Sequence, residues 1–186
     1  MESSKTAFPK NNTAKLVLLA LLFAAALVLA ALENTLPPLP LPFPGLKLGL
    51  SNIAIMYALF FLNFKSAFAL AALKSGFVFL MRGALSGAIS LSGGLLSVLA
   101  MIGGLKLFKT GLSYMGLSIL GAVFHNLGQL FVVGVIYGLG FMPLYLAVLL
   151  PFGAAAGILT AALLKALLPA LKRAVCFINK KESGRL

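Results

Sequence analysis

Residues 16–32 read LVLLALLFAAALVLAAL, seventeen apolar residues between Lys15 and Glu33. A transmembrane helix needs about 20 mostly apolar residues, because each residue adds about 1.5 Å along the axis. The basic start could also belong to a signal peptide, but the run is longer than a typical signal-peptide core and further apolar stretches follow it. The pattern therefore predicts a retained first transmembrane helix.

Composition extends this interpretation to the whole chain. Of the 186 residues, 61% are hydrophobic and only 10% are charged, and the mean hydropathy is +1.09. Soluble domains have about 25% charged residues, so we predict an all-α polytopic membrane protein with about six spans. After the first span, the others are expected at 48–62, 66–85, 88–108, 114–139 and 144–171. These spans form a transmembrane domain over 15–171, between a cytoplasmic N-terminal tail at 1–14 and a basic cytoplasmic C-terminal tail at 172–186.

The positive charges predict the orientation. With six spans, twelve of the fifteen Lys and Arg residues fall on one side of the membrane. They are Lys5, Lys10, Lys15, Lys65, Lys106, Lys109, Lys165, Lys172, Arg173, Lys180, Lys181 and Arg185. Since basic loops are retained in the cytoplasm, we predict a multi-pass protein of the cytoplasmic (inner) membrane with both termini inside.

The segment LPPLPLPFPGLKLGL at 36–50 contains five prolines. Proline lacks an N–H and disfavours helical geometry in the residue before it, so a regular helix is excluded here. The segment is nevertheless apolar. We expect it to pack on protein or lie in the membrane interface, because unpaired backbone is not tolerated in lipid.

Several function classes are excluded by the residues present. The net charge of +12 does not indicate nucleic-acid binding, because the basic residues lie between apolar runs and form no patch with aromatic residues. The chain has one Cys (Cys176), one His and no Asp, which argues against a metal site. It has neither a phosphate-binding P-loop nor a nucleophile–base pair. We therefore expect no enzymatic activity, no cofactor and no capacity to energise transport alone.

Polar residues inside the apolar runs are the candidates for function. Lys74 falls near mid-depth of the third span, where a charge is costly and usually faces a cavity or a partner. Arg82 and Lys47 lie at the outer ends of their segments, on the side of the membrane opposite the basic loops. There, their side chains could instead reach the membrane–water interface. Glu33 could pair with Lys47 or Arg82. Lys74 could itself be structural, paired with Glu33 or backbone carbonyls.

The fifth span carries the sequence GAVFHNLGQL. His125 and Gln129 are four residues apart and share a helix face, with Asn126 beside it; the trio could form interhelical hydrogen bonds or a ligand site. Asn52, near the outer start of the second span, is a further candidate. An excess of cations in a low-dielectric cavity favours an anionic ligand group such as phosphate or carboxylate. Its apolar parts could pack on Phe77, Phe79 or Phe124.

Small residues recur at the i, i+4 spacing that lets membrane helices approach closely. The pairs are Ala20 and Ala24, Ala26 and Ala30, Gly83 and Gly87, Gly134 and Gly138, and Gly153 and Gly157. Each pair could serve packing inside the bundle or an interface with another membrane subunit.

Four ordered motifs resemble a known family. They are PGLKLGLSNI (44–53), LKSG (73–76), SLSGGLLS (90–97) and GAVFHNLGQ (121–129). They look like motifs of the Gx transporter family, also labelled heptaprenyl diphosphate synthase component I. That family is similar to the substrate-binding S components of energy-coupling factor transporters, and the resemblance covers about residues 15–170.

The resemblance implies a six-helix S-component fold whose outward-facing site is gated by the loop between the first two spans. It also implies a transmembrane coupling subunit with ATPases, contacted through Ala20 and Ala24 or Ala26 and Ala30. The synthase label implies an alternative, a non-catalytic accessory component in prenyl diphosphate or quinone metabolism. Prenyl diphosphate synthases bind Mg²⁺ on Asp-rich motifs, and this chain has no Asp. A membrane scaffold without a ligand is the third possibility.

Overall fold

The computed structural model describes residues 9, 11–35, 49–108, 113–138, 140 and 142–182. Within these ranges the chain forms six helices and no strand. They are α1 (Asn12–Thr35), α2 (Asn52–Phe61), α3 (Phe64–Arg82), α4 (Ala84–Phe108), α5 (Tyr114–Tyr137) and α6 (Met142–Glu182). Every helix except α2 is long and apolar enough to cross a membrane. The prediction of an all-α polytopic membrane protein is confirmed.

The five long helices form a ring around α2. Helices α3, α4, α5 and α6 pack in chain order, and α1 closes the ring by contacting α3 and α6. Helix α2 contacts α1, α3, α4 and α6, and its residues 52–59 are all buried. A helix that is apolar on all sides must be buried in protein or in lipid, and the ten residues of α2 are too few to cross the bilayer as a span, which fits its position inside the ring.

Helix α2 is shorter than the span predicted at 48–62. Its ten residues cover about 15 Å, half of the roughly 30 Å hydrocarbon core. The helix stops at Phe61 because Asn63 adopts an extended conformation and caps α3, its Oδ1 accepting a hydrogen bond from the Ser66 N–H at 2.7 Å. On the other side, Gly49 has a positive φ of 73°, which a helix cannot include.

Glycine brings α4, α5 and α6 into close contact. A Cβ added at Gly128 on α5 would lie 2.6 Å from the Ser92 carbonyl oxygen on α4, and one added at Gly157 on α6 would lie 2.5 Å from Ile119 Cα on α5. Hydroxyl groups reinforce both contacts: Ser92 Oγ donates to the Gly128 carbonyl and Ser118 Oγ donates to the Gly157 carbonyl, each at 2.8 Å. The pair Gly153 and Gly157 therefore packs inside the bundle, against α5.

The first and last helices, α1 and α6, extend beyond the predicted bounds of the transmembrane domain. Helix α1 begins at Asn12, not Lys15, and α6 continues as helix past residue 171 to Glu182. Side chains spaced alternately by four and three residues explain the extension of α6. These are Leu164, Leu168, Leu171, Val175 and Ile178, which join one apolar cluster with Leu18 and Leu22 of α1. Most of the predicted C-terminal tail is thus helical, and its first turns pack on the bundle.

The apolar core lies in one half of the bundle. We call the end where α1 begins and α2, α4 and α6 end the basic end, because Lys15, Lys65 and Lys106 lie there. Most of the largest fully buried side chains, including Tyr57 and Met101, lie between the start of α2 and this end. The opposite end, where α1, α3 and α5 finish, is called the cavity end.

Candidate ligand-binding cavity

A cavity of about 1060 Å³ occupies the half of the bundle beyond the start of α2. Helices α1, α3, α4 and α5 supply its walls, and the residues just before α2 supply its floor. On α5 the lining residues are His125, Gln129, Val133 and Tyr137. Their uniform spacing of four residues places them on one face of the helix, facing the cavity.

Lys74 is the buried cation of the site. Its side chain lines the cavity and is only 7% exposed, and its Nζ lies 3.4 Å from Asn52 Oδ1 on α2. A separation of 3.4 Å exceeds the 2.7–3.2 Å typical of a strong hydrogen bond. Arg82, about 12 Å further along α3, also lines the cavity but is exposed. One cation thus lies deep in the site and a second lies at its rim.

The floor adds a further positive contribution. Ser51 and Gly49, immediately before α2, line the cavity, so the N-terminus of α2 faces it. The Asn52 and Ile53 N–H groups donate to the Gly49 and Leu50 carbonyls, so these two donors are already used. The α2 dipole still places a partial positive charge at the floor, on the same side as Lys74.

Glu33 fixes the chain that precedes α2. Its Oε1 accepts a hydrogen bond from the Gly49 N–H at 2.6 Å, and the bond is buried. Glu33 itself is 8% exposed and lines the cavity. The sequence suggested Lys47 or Arg82 as its partner; Lys47 lies outside the described residues, and the bond to the backbone amide of Gly49 is an additional contact. This contact joins the end of α1 to the start of α2 across the segment 36–48, which lies outside the described residues.

Gly93 positions the polar pair on α5. A Cβ on Gly93 would lie 2.8 Å from the His125 carbonyl oxygen and 2.9 Å from both His125 Cε1 and Gln129 Cγ. Only glycine allows α4 to approach so closely beside these two side chains. Both are buried, and Gln129 Nε2 lies 2.9 Å from His125 Nε2. The motifs SLSGGLLS and GAVFHNLGQ are therefore two sides of one helix contact.

The structure brings together most of the predicted site residues. Lys74, Arg82, His125 and Gln129 line the cavity, and Asn52 lies beside Lys74. Asn126 lies on another face of α5, toward α6, because a Cβ added at Gly153 would lie 3.0 Å from its Nδ2. Lys47 falls outside the described residues.

The predicted phenylalanine and alanine residues also separate into some that line the cavity and others that do not. Of the three phenylalanines, Phe77 is in the cavity lining, whereas Phe79 lies against Gly87 of α4. The predicted interface alanines also separate. Ala20 and Ala24 are exposed on the outer face of α1, but Ala26 is buried in the core and Ala30 lines the cavity. Only the first alanine pair therefore faces outward.

Sequence reasoning missed the serines of the site. Ser86 and Ser90 on α4 line the cavity, and Ser90 Oγ accepts a hydrogen bond from Ser75 Oγ at 3.3 Å. Their i, i+4 spacing in an apolar helix was the available signal. Among the residues that the structure describes, no three His, Cys, Asp or Glu side chains are grouped as metal ligands would be.

A ring of apolar helices around a cavity with a buried lysine defines a polytopic helical membrane protein with an internal polar site. The chain belongs to the family described as heptaprenyl diphosphate synthase component I, which matches residues 22–167, more than half of its 186 residues. The family label inferred from the four motifs is thereby confirmed. No curated protein and no solved structure matches the chain significantly.

Proposed function

We propose that this chain is the substrate-binding membrane subunit of an uptake system, similar to an S component, and that it takes a small anionic molecule. The observation that carries the proposal is Lys74, a cation 7% exposed in the wall of a 1060 Å³ cavity. The cavity is at the upper end of the usual range for ligand pockets, about 300–1,000 Å³.

The electrostatics of the cavity favour an anion. Lys74, the N-terminus of α2 and Arg82 each contribute positive potential, while Glu33 is the acidic residue in the lining. The hydrogen bond from the Gly49 N–H does not remove the negative charge of Glu33, so the lining holds two cationic side chains against one anionic side chain. Charges in a low-dielectric cavity act more strongly than at a water-exposed surface, so a phosphate or carboxylate group would be attracted to the floor.

Purification followed by mass spectrometry of bound small molecules tests this function. We expect the wild-type chain to retain an anionic compound and Lys74→Ala to lose it. Lys65→Ala is the matched control, because Lys65 is an exposed lysine on the same helix, and it should retain the compound. Wild-type protein that carries no small molecule from native membranes would favour the ligand-free scaffold.

The chain needs separate energising subunits, because its sequence contains no P-loop. We propose that the outer face of α1 at Ala20 and Ala24, both exposed, contacts a transmembrane coupling subunit that works with ATPases. Replacing both with Leu should block close helix approach and reduce co-purification of the partner. The same double change at the exposed Ala69 and Ala72 of α3 is the control. Unchanged co-purification in the α1 variant would move the interface elsewhere.

We also propose that the chain lies in the cytoplasmic membrane with both termini inside, so that the cavity end faces outward. In a Cys176→Ser background, single cysteines near the N-terminus, Lys106 and Arg185 should be shielded from a membrane-impermeant thiol reagent in intact cells. Labelling at any of the three would reverse the orientation.

A second candidate is a non-catalytic accessory component in prenyl diphosphate or quinone metabolism, which the family description favours. The cavity supports this role as well, because a diphosphate is an anion. In neither role do we expect catalysis: with no Asp to hold Mg²⁺, the purified chain should not elongate allylic diphosphates. Prenyl transfer by the chain alone would contradict both.

A further inference from the structure

The cavity has two chemically different sections. On α5 the lining changes from His125 and Gln129 to Val133 one turn nearer the cavity end, and on α3 it changes from Lys74 to Phe77 and Met81. On α1 the lining residues Leu27, Val28, Ala30 and Ala31 are apolar as well; they precede Glu33, whose side chain reaches the floor. Beyond the polar floor, the lining of α3 and α5 is thus apolar for about two turns of α3 up to Arg82, with Ser86 of α4 as a polar exception; we call this part of the cavity the apolar section.

The apolar section reaches the outer surface of the bundle. Val28 of α1 and Met81 of α3 both line the cavity, yet they are 59% and 69% exposed. Val28 continues the exposed stripe of α1 that includes Val17 and Leu21, which faces away from the core. Among the described residues, the cavity is therefore bordered between α1 and α3 by side chains that would meet lipid.

We propose that the ligand is an anionic amphiphile: its charged group binds at Lys74 on the floor and its hydrocarbon part lies along the apolar section. The inference rests on the proposed ligand-binding function and specifies its substrate class. A wholly polar anion would leave the apolar section without a matching surface. A neutral lipid would make no use of the positive potential that Lys74 and the N-terminus of α2 place at the floor.

Binding of straight-chain alkyl phosphates tests the proposal. The full-length chain in nanodiscs would be titrated with inorganic phosphate, with ethyl, butyl, hexyl and octyl phosphate, and with octanol, and affinities referred to free aqueous concentration. Each buried methylene should raise the affinity by about fourfold until the section is filled. Octanol and inorganic phosphate should bind far more weakly than octyl phosphate.

Two pairs of variants separate the sections. Lys74→Met should weaken the binding of octyl phosphate by about thirtyfold or more, as expected when one member of a buried charge pair is removed. Lys65→Met should leave this binding unchanged. Val133→Phe fills part of the apolar section with a larger side chain, so it should lower the affinity for octyl phosphate and leave the affinity for ethyl phosphate unchanged. Val135→Phe, the same change at a residue 65% exposed on the same helix, should affect neither.

Each other outcome overturns the inference. If ethyl or inorganic phosphate binds as tightly as octyl phosphate, the ligand is a polar anion, and the proposed function stands without the amphiphile. If octanol binds as tightly as octyl phosphate, Lys74 has no role in recognition. If no alkyl phosphate binds, the proposal of an amphiphilic ligand is wrong. The mass spectrometry of co-purified molecules then decides the proposed function separately. The chain-length series uses the wild-type protein, so a variant that fails to fold does not prevent the decision.

Discussion

At the basic end of the bundle, α2 and the adjacent turns of the surrounding helices fill the interior with side chains such as Tyr57, Met101 and Leu164. At the cavity end, four helices of the same ring (α1, α3, α4 and α5) enclose about 1060 Å³ of space lined by Lys74, His125 and Gln129. The two halves differ in one element, because α2 is present in the first and begins at the border of the second.

The length of α2 explains this difference. A ten-residue helix covers about half of the hydrocarbon core, so it can fill only half of the ring. Its N-terminus becomes the floor of the remaining space, and its dipole directs a partial positive charge into it. Substitutions in the packed half should therefore change stability, and substitutions around the cavity should change ligand binding.

The largest loss of stability is expected from the packed half. Leu70 on α3 is 1% exposed, whereas Leu73 on the same helix is 54% exposed. Leu70→Ala should lower the free energy of unfolding by about 2–3 kcal/mol, the low end for buried leucines, because lipid replaces water as the outer solvent. Leu73→Ala should have little effect. Chemical denaturation in detergent checks both, and equal losses would show that this half is not packed as described.

A smaller loss is expected at the border between the halves. Gly93→Ala places a Cβ against His125 and Gln129, whereas a Cβ on the neighbouring Gly94 would lie an ordinary 3.4 Å from Ala71 Cβ. Gly93→Ala should cost about 1–3 kcal/mol of stability through overpacking and should also weaken ligand binding. Gly94→Ala should change neither. If the two variants melt and bind alike, the close α4–α5 contact is wrong.

The smallest effect is expected at Tyr57, which is fully buried and stacks on Phe61 with ring centroids 4.7 Å apart. Among the described residues, no group hydrogen-bonds its Oη. Removing an unsatisfied hydroxyl keeps the shape and lifts a desolvation penalty, so Tyr57→Phe should be neutral or stabilise the protein by up to about 1 kcal/mol. A loss of stability would reveal a hydrogen bond to that hydroxyl.

The sequence predicted what depends on periodicity and charge. Hydropathy located the long helices, and the i, i+4 spacing of His125 and Gln129 placed both on one face, which proved to line the cavity. Lys74 stood out because a mid-span charge is costly. Each of these inferences uses neighbours along one helix, where geometry is fixed by the backbone.

Packing between helices could not be predicted in the same way. Asn126 differs from His125 by one position, about 100° around the helix. Only its contact with Gly153 of α6 shows that it faces away from the cavity. The central position of α2 depends on four other helices. The apolar stripe from Leu164 to Ile178 becomes informative only once α1 lies against it.

The most direct test of the account is the ligand-induced change in melting temperature for wild type, Lys74→Ala and Lys65→Ala, measured with the small molecule that co-purifies with the wild-type chain. If Lys74 binds an anionic ligand, its removal lowers affinity by about 2–5 kcal/mol, so the ligand-induced shift should nearly vanish in Lys74→Ala and persist in Lys65→Ala. If Lys74→Ala instead lowers the melting temperature equally with and without ligand, leaving the shift unchanged, Lys74 only holds the bundle together and the anion site is contradicted.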